Sequence, residues 1–120
     1  MRILICGDRN WHDGVAIREI LAKFLPDVVI EGEARGADTF ARLSAESMGI
    51  TVEKYPADWN TYGKAAGPIR NSQMLREGKP DVIVGFHYNV SESKGTRDML
   101  TRAKASGKPT FIYDGELKEF

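Results

Sequence analysis

The sequence predicts an α/β fold of the Rossmann-like, doubly wound kind. It would hold a parallel five-stranded sheet in the order 3-2-1-4-5, with helices on both faces. Two observations predict it. Short apolar runs rich in β-branched residues alternate with segments whose apolar residues recur at helical spacing. Glycine or proline then marks nearly every boundary between the two kinds of segment. Parallel strands joined by right-handed crossovers leave few other arrangements.

Each element follows in order. Residues 3–6, apolar throughout and closed by Gly7, read as a buried first strand. Ile17, Ile20, Leu21, Phe24 and Leu25 fall on one helical face, and Pro26 stops that helix. Val28, Val29 and Ile30 form the second strand, closed by Gly32. Phe40, Ala41, Leu43 and Met48 lie in a second helix that Gly49 ends. Residues 51–55 alternate as a third strand, and residues 56–67 are a long polar loop. Pro68 suits the first position of a third helix, which Gly78 and Pro80 terminate. Val82, Ile83 and Val84 make the fourth strand, closed by Gly85. Thr96, Met99, Leu100 and Ala103 give a fourth helix ended by Gly107, and residues 109–113 are the fifth strand.

Composition narrows the function. The 120 residues suit one domain, residues 1–120. Lys plus Arg and Asp plus Glu each number 17, so the net charge is zero. That balance argues against a general nucleic-acid or membrane-surface binder, while leaving room for a local basic site. The single cysteine, Cys6, cannot form an internal disulfide, which suits a reducing, cytoplasmic compartment. The apolar run at the N-terminus is too short for a signal peptide or a membrane span.

Doubly wound sheets bind ligands beyond the carboxyl ends of their strands, where the strand order reverses. Here that point lies between strands one and four, and the polar, glycine-rich loops gather around it. Gly7-Asp8-Arg9 follows strand one: Gly7 lets a ligand approach the backbone, and Arg9 suits a phosphate or carboxylate, or is a solvated turn residue. Gly32-Glu33-Ala34-Arg35-Gly36-Ala37-Asp38 follows strand two and opens a helix. It reads either as an anion-binding loop, with Gly32, Arg35, Gly36 and Asp38 in the site, or as a structural turn. It lacks the three spaced glycines of a dinucleotide fingerprint.

The long loop carries Trp59, Lys64, Arg70 and Asn71. It superficially resembles a phosphate-binding P-loop but lacks its first glycine and the hydroxyl after Lys64. Trp59 could stack on a base or pack under the loop. Gly95-Thr96 at a helix start offers backbone donors and a hydroxyl to a phosphate, or caps the helix. His87 could act as a general acid or base, or do neither. His12, His87 and Cys6 show no metal-ligand spacing, so neither metal nor cofactor is expected. The reading places Arg9, Arg35, Lys64, Arg70 and Arg97 in one cluster along the sheet edge.

Taken together, three stretches carry a family resemblance. They are Gly32 to Asp38, then Tyr55-Pro56-Ala57-Asp58-Trp59 with Gly63-Lys64-Ala65-Ala66-Gly67-Pro68-Ile69-Arg70-Asn71, and Gly95-Thr96. The chain resembles the YspA/YpsA-related SLOG family, a Rossmann-like group of bacteria and phages. The wider superfamily includes the LOG phosphoribohydrolases and the DNA-processing protein DprA. The resemblance implies a pocket for a nucleotide or nucleotide-derived ligand: ADP-ribose-like, NAD-related or a cyclic nucleotide. It also implies a homo-oligomer and a role as sensor or sequestering protein in bacterial or phage defence.

LOG enzymes resemble one another in a Pro-Gly-Gly, any residue, Gly-Thr, two residues, Glu motif. Gly95 and Thr96 match it, and Arg70 matches the arginine that precedes it. The Pro-Gly-Gly is absent, and Met99 stands at the catalytic glutamate's place. A thioether neither donates a proton nor stabilises an oxocarbenium ion. Asp98, one residue early, is rotated by about 100° around the helix. Binding is therefore favoured over catalysis. The enzyme alternative is an N-glycosidase or nucleotide hydrolase using Asp98, Asp38 and Arg70, with Asp8, Glu33 and Asp58 as further carboxylates. A DprA-like single-stranded DNA binder is the third reading, which the zero net charge weakens.

Overall fold

A computed structural model describes all residues, Met1–Phe120. The chain runs β1 (Arg2–Gly7), α1 (Gly14–Phe24), β2 (Val28–Glu31), α2 (Ala37–Ser47), β3 (Thr51–Lys54), α3 (Trp59–Tyr62), α4 (Ala66–Gly78), β4 (Val82–Phe86), α5 (Gly95–Ala105), β5 (Thr110–Tyr113) and β6 (Leu117–Glu119). The sheet order is β3-β2-β1-β4-β5-β6. The first five strands are parallel and take the expected order.

Alternation along the central strands explains the layers. Ile3, Ile5, Val29, Val82 and Val84 face one side of the sheet, where α1 and α2 cover them with Ile17, Leu21 and Ala41. Leu4, Cys6, Ile30 and Ile83 face the other side, under Met74 of α4 and Met99 and Leu100 of α5. β4 is buried along its whole length. Truncating one of these buried isoleucines, leucines or methionines to alanine costs about 2–5 kcal/mol.

The helix ends follow local chemistry. Asp13 caps α1 by accepting from the Ala16 N–H at 3.1 Å. The helix closes on Leu25 in a left-handed conformation, φ 48°, just before Pro26. That geometry turns Leu25 outward, 72% exposed, rather than onto the apolar face where helical spacing would put it. Leu43 is likewise exposed, on the outer face of α2.

Further boundaries differ from expectation, and β4 runs through Gly85 to Phe86 instead of stopping at the glycine. The sheet has six strands, not five: residues 114–116 turn the chain back, and β6 pairs antiparallel with β5. The stretch at residues 56–67 is not a bare loop, because α3 and a 3-10 turn at Gly63–Ala65 fold within it. α4 begins at Ala66, two residues before Pro68. Proline fits anywhere in a first helical turn, since its missing N–H would have no partner there. The third strand also ends at Lys54, one residue early.

Candidate functional site

The β1–β4 register pairs Gly7 with Phe86, so the residues that follow each strand emerge side by side at the switch point. Gly7 is required there by packing. A Cβ on it would meet the Phe86 carbonyl and lie 2.8 Å from the Ala37 Cβ. Above it opens a cleft of about 660 Å³, bounded by the β1–α1 loop, the loop before α2, α3, and the starts of α4 and α5.

Five cationic side chains line this cleft: Arg9, Arg35, Lys64, Arg70 and Lys94. Three carboxylates, Asp8, Asp38 and Asp98, line it too. Every one of these acids has partners of its own. Asp8 accepts from the Asn10 N–H at 2.9 Å and faces the His87 ring, with Nε2 3.8 Å away. Asp38 accepts from the Gly32 and Ala34 N–H groups at 3.1 and 3.2 Å. Asp98 binds Arg102 Nε through both oxygens, at 3.0 and 2.9 Å, and accepts from Asn71 Nδ2 at 3.0 Å. None of the five cleft cations has a carboxylate within salt-bridge range. The cleft therefore carries five cations against three carboxylates, a local excess of positive charge in a chain that is neutral as a whole.

Arg70 is fixed in place rather than free. Its Nη1 donates to the Gly32 carbonyl and its Nε to Asn71 Oδ1 at 3.1 Å. Gly32 must lack a side chain for this, because a Cβ would run into the guanidinium. Asn71 is buried and its amide also reaches the Gly95 carbonyl at 3.4 Å, so it ties α4 to α5. Gly95 opens α5 at the cleft, and a Cβ there would meet nothing within 4 Å. The buried Thr96 beside it has its N–H capped by Ser93 Oγ at 3.1 Å. Trp59 is 48% exposed rather than packed under the loop, with the Arg9 guanidinium 5.5 Å from its ring centre.

The residues expected in the site thus divide. Gly7, Arg9, Arg35, Asp38, Trp59, Lys64, Arg70, Asn71, Gly95 and Thr96 all line the cleft. Gly32 lines a hollow adjoining it. Gly36 lines neither. It has φ 76° and packs against the backbone of Asp8 and Arg9, so its role is to seat one loop on the other. Arg97 also leaves the expected cluster. It faces an outer depression with Ser91, Asp98 and Thr101, because it projects from a different side of α5 than Gly95 does.

Lys94 and the pairing of Asp8 with His87 escaped the sequence reading. His87 Nδ1 accepts from the Asn89 N–H at 2.9 Å, which places the ring proton on Nε2, toward Asp8. A second unforeseen group lies beneath the loop before α2. Glu31 is fully buried; one oxygen accepts from the Glu33 N–H at 2.7 Å, and the other has no partner. Burial pushes its pKa up to about 8. Burial also raises Asp38, to about 6, against the opposing pull of the Ala34 amide and Arg70. Cys6, at the floor of the cleft, is held above the ordinary thiol range by burial.

Fold and cleft together define a Rossmann-like α/β protein with a cation-lined cleft at its topological switch point. A model of the YspA, cpYpsA-related SLOG family matches residues 1–62. The chain is 37% identical over 122 residues to the Gene 61 protein of Mycobacterium phage D29, across 93% of this chain and 95% of that protein. Accordingly, the chain belongs to the YspA, cpYpsA-related SLOG family. Gly63 to Asn71 and Gly95-Thr96 lie beyond the residues that the family model matches. Among solved structures, the DNA processing protein A (DprA) from Streptococcus pneumoniae shares the fold, with TM-score 0.71 and 18% identity. That likeness covers 96% of this chain but only half of the DprA chain. No helix is long and apolar enough to cross a membrane.

Proposed function

We propose that the chain acts as one domain that binds a nucleotide or nucleotide-derived ligand in the cleft at the carboxyl edge of the sheet. The observation that carries this reading is the set of five cations, none of them in a salt bridge, around a cleft of about 660 Å³. Such a volume suits a nucleotide-sized molecule. Its phosphates would take Arg9, Arg35 and Arg70, with Gly95 at close backbone approach and Trp59 as a stacking face. ADP-ribose-like, NAD-related and cyclic nucleotides are the ligand classes in view. The role is that of a sensor or sequestering protein in bacterial or phage defence, working as a homo-oligomer in the cytoplasm.

A hydrolase is the second reading, and the Asp8–His87 pair in the wall of the cleft favours it. Asp98 supports it less, since Arg102 and Asn71 already occupy its carboxylate. One experiment separates the readings. The protein is incubated with AMP, NAD, ADP-ribose, cyclic nucleotides and short single-stranded DNA, with thermal shift and chromatography as readouts. Stabilisation by a nucleotide with no released base is the expected result. Free base that vanishes in Asp8→Asn establishes the hydrolase instead, and stabilisation by DNA alone establishes the DNA binder.

A further inference from the structure

The cleft does not end at Trp59. Beyond the Arg9–Trp59 contact lies a second hollow of about 590 Å³. The two spaces share a wall made of Arg9, Ala34, Arg35, Trp59 and Arg70. Arg9 reaches in from the β1–α1 loop on one lip, and Trp59 from α3 on the other. Their cation–π contact forms a bar across the middle. At an exposed site such a contact is weak, and a phosphate is the better partner for the guanidinium.

Charge is centred on that bar. Arg9, Arg35 and Arg70 border both spaces. The second hollow has one carboxylate, Glu33, which faces Arg42 at 3.8 Å. Its remaining walls, Gly32, Ala34, Pro56 and Ala57, are uncharged. Each hollow is large enough for one nucleotide-sized unit. A mononucleotide would leave one of them filled with water.

We infer that the ligand is bipartite: two nucleotide-sized halves joined through phosphate, with the linkage at the arginine wall and one half in each hollow. On binding, Arg9 turns from the indole to the phosphate, and a base takes the freed face of Trp59. This inference rests on the nucleotide reading above and sharpens it to a substrate class. The joining chemistry is either a pyrophosphate or a phosphodiester, and both present anionic oxygens to the same three arginines.

The test is a titration with AMP, diadenosine pyrophosphate and the dinucleotide pApA, read by calorimetry and by tryptophan fluorescence. Trp59 is half exposed and Trp11 is 3% exposed, so quenching by added ligand reports on Trp59. At least one dinucleotide binds about tenfold or more tighter than AMP, as expected when a tethered second half gains its own contacts. The pyrophosphate and phosphodiester arms identify the linkage. Ala57→Trp then fills the second hollow from its outer wall and brings the dinucleotide-to-AMP affinity ratio close to one. Leu43→Trp, on the exposed outer face of α2 away from both hollows, keeps the wild-type ratio, with melting curves checking that both variants fold. Equal affinity for AMP and both dinucleotides overturns the bipartite ligand while the nucleotide reading stands. An unchanged ratio in Ala57→Trp overturns the placement of the second half. No binding of any of the three overturns the inference together with the reading beneath it.

Discussion

Gly95 allows stability and binding to be pulled in opposite directions. It is the first residue of α5, its φ is not positive, and a Cβ there has no heavy atom within 4 Å. Neither backbone geometry nor packing asks for glycine at this position. Gly95→Ala should therefore stabilise the free protein by about 0.4–1 kcal/mol, by restricting the unfolded chain. For a domain of this size that is a rise in Tm of roughly 2–4 °C. Gly95 lines the cleft, so under the proposed nucleotide reading the added methyl would crowd a phosphate oxygen approaching its N–H. Pushing that oxygen out of hydrogen-bond range forfeits about 1.5–3 kcal/mol of charge-assisted bonding, or about 10- to 100-fold in affinity. Denaturation and calorimetry with the best-binding nucleotide measure the two effects on the same sample. A loss of stability would refute the reading of the backbone. An affinity within about twofold of wild type would refute close approach of a phosphate. Gly7→Ala makes the contrast: its methyl meets the Phe86 carbonyl and Ala37, so it should destabilise the fold by about 1–3 kcal/mol.

Two further outcomes are expected. Arg70→Ala should weaken nucleotide binding by about 1.5–3 kcal/mol. Arg70→Lys should restore only part of that, because an ammonium cannot hold the Gly32 carbonyl, Asn71 and a phosphate together; full recovery in calorimetry would remove the fork geometry from the argument. Glu31 governs a pH dependence. Its folded pKa, about 8, lies above the ordinary 4.5, so the native state binds more protons between those values. The stabilisation is complete below about pH 4.5 and is lost as the pH rises through about 8. Tm should fall across that window, and Glu31→Gln should flatten the fall; an equally steep profile in the variant would place its origin elsewhere.

Much of the fold was legible because strand and helix write different periods into the chain. β1 and β4 are continuous apolar runs, and the order of the first five strands is one of the few that right-handed crossovers in a doubly wound sheet allow. β6 was not legible. It is three residues long with one apolar side chain, Leu117, and pairing with β5 rather than pattern creates it. The site was readable as a set of loops and their cations, since strand-end turns must gather at one edge. Which cation faces inward was not readable, as Lys94 and Arg97 show: rotation around α5 decides it. Asp8 and His87 meet only through the register that sets Gly7 beside Phe86, a fact held in the pairing of two distant strands. Glu31 lies just past the apolar run of the second strand with nothing in its spacing to mark it, and only the packed loop above leaves one of its carboxyl oxygens without a partner.

The borders of the sheet limit how this protein can associate. β6 occupies the free side of β5 and shows solvent a short strand carrying exposed Lys118 and Glu119. At the opposite border, β3 exposes Thr51 and Lys54 at its ends. Brief, charged borders resist the addition of a strand from another molecule. Self-association through a continuous intermolecular sheet is thereby disfavoured at both borders. An assembly of this chain must be built on its helical faces or loops, and the carboxyl edge with its cleft can stay open to small molecules while it forms.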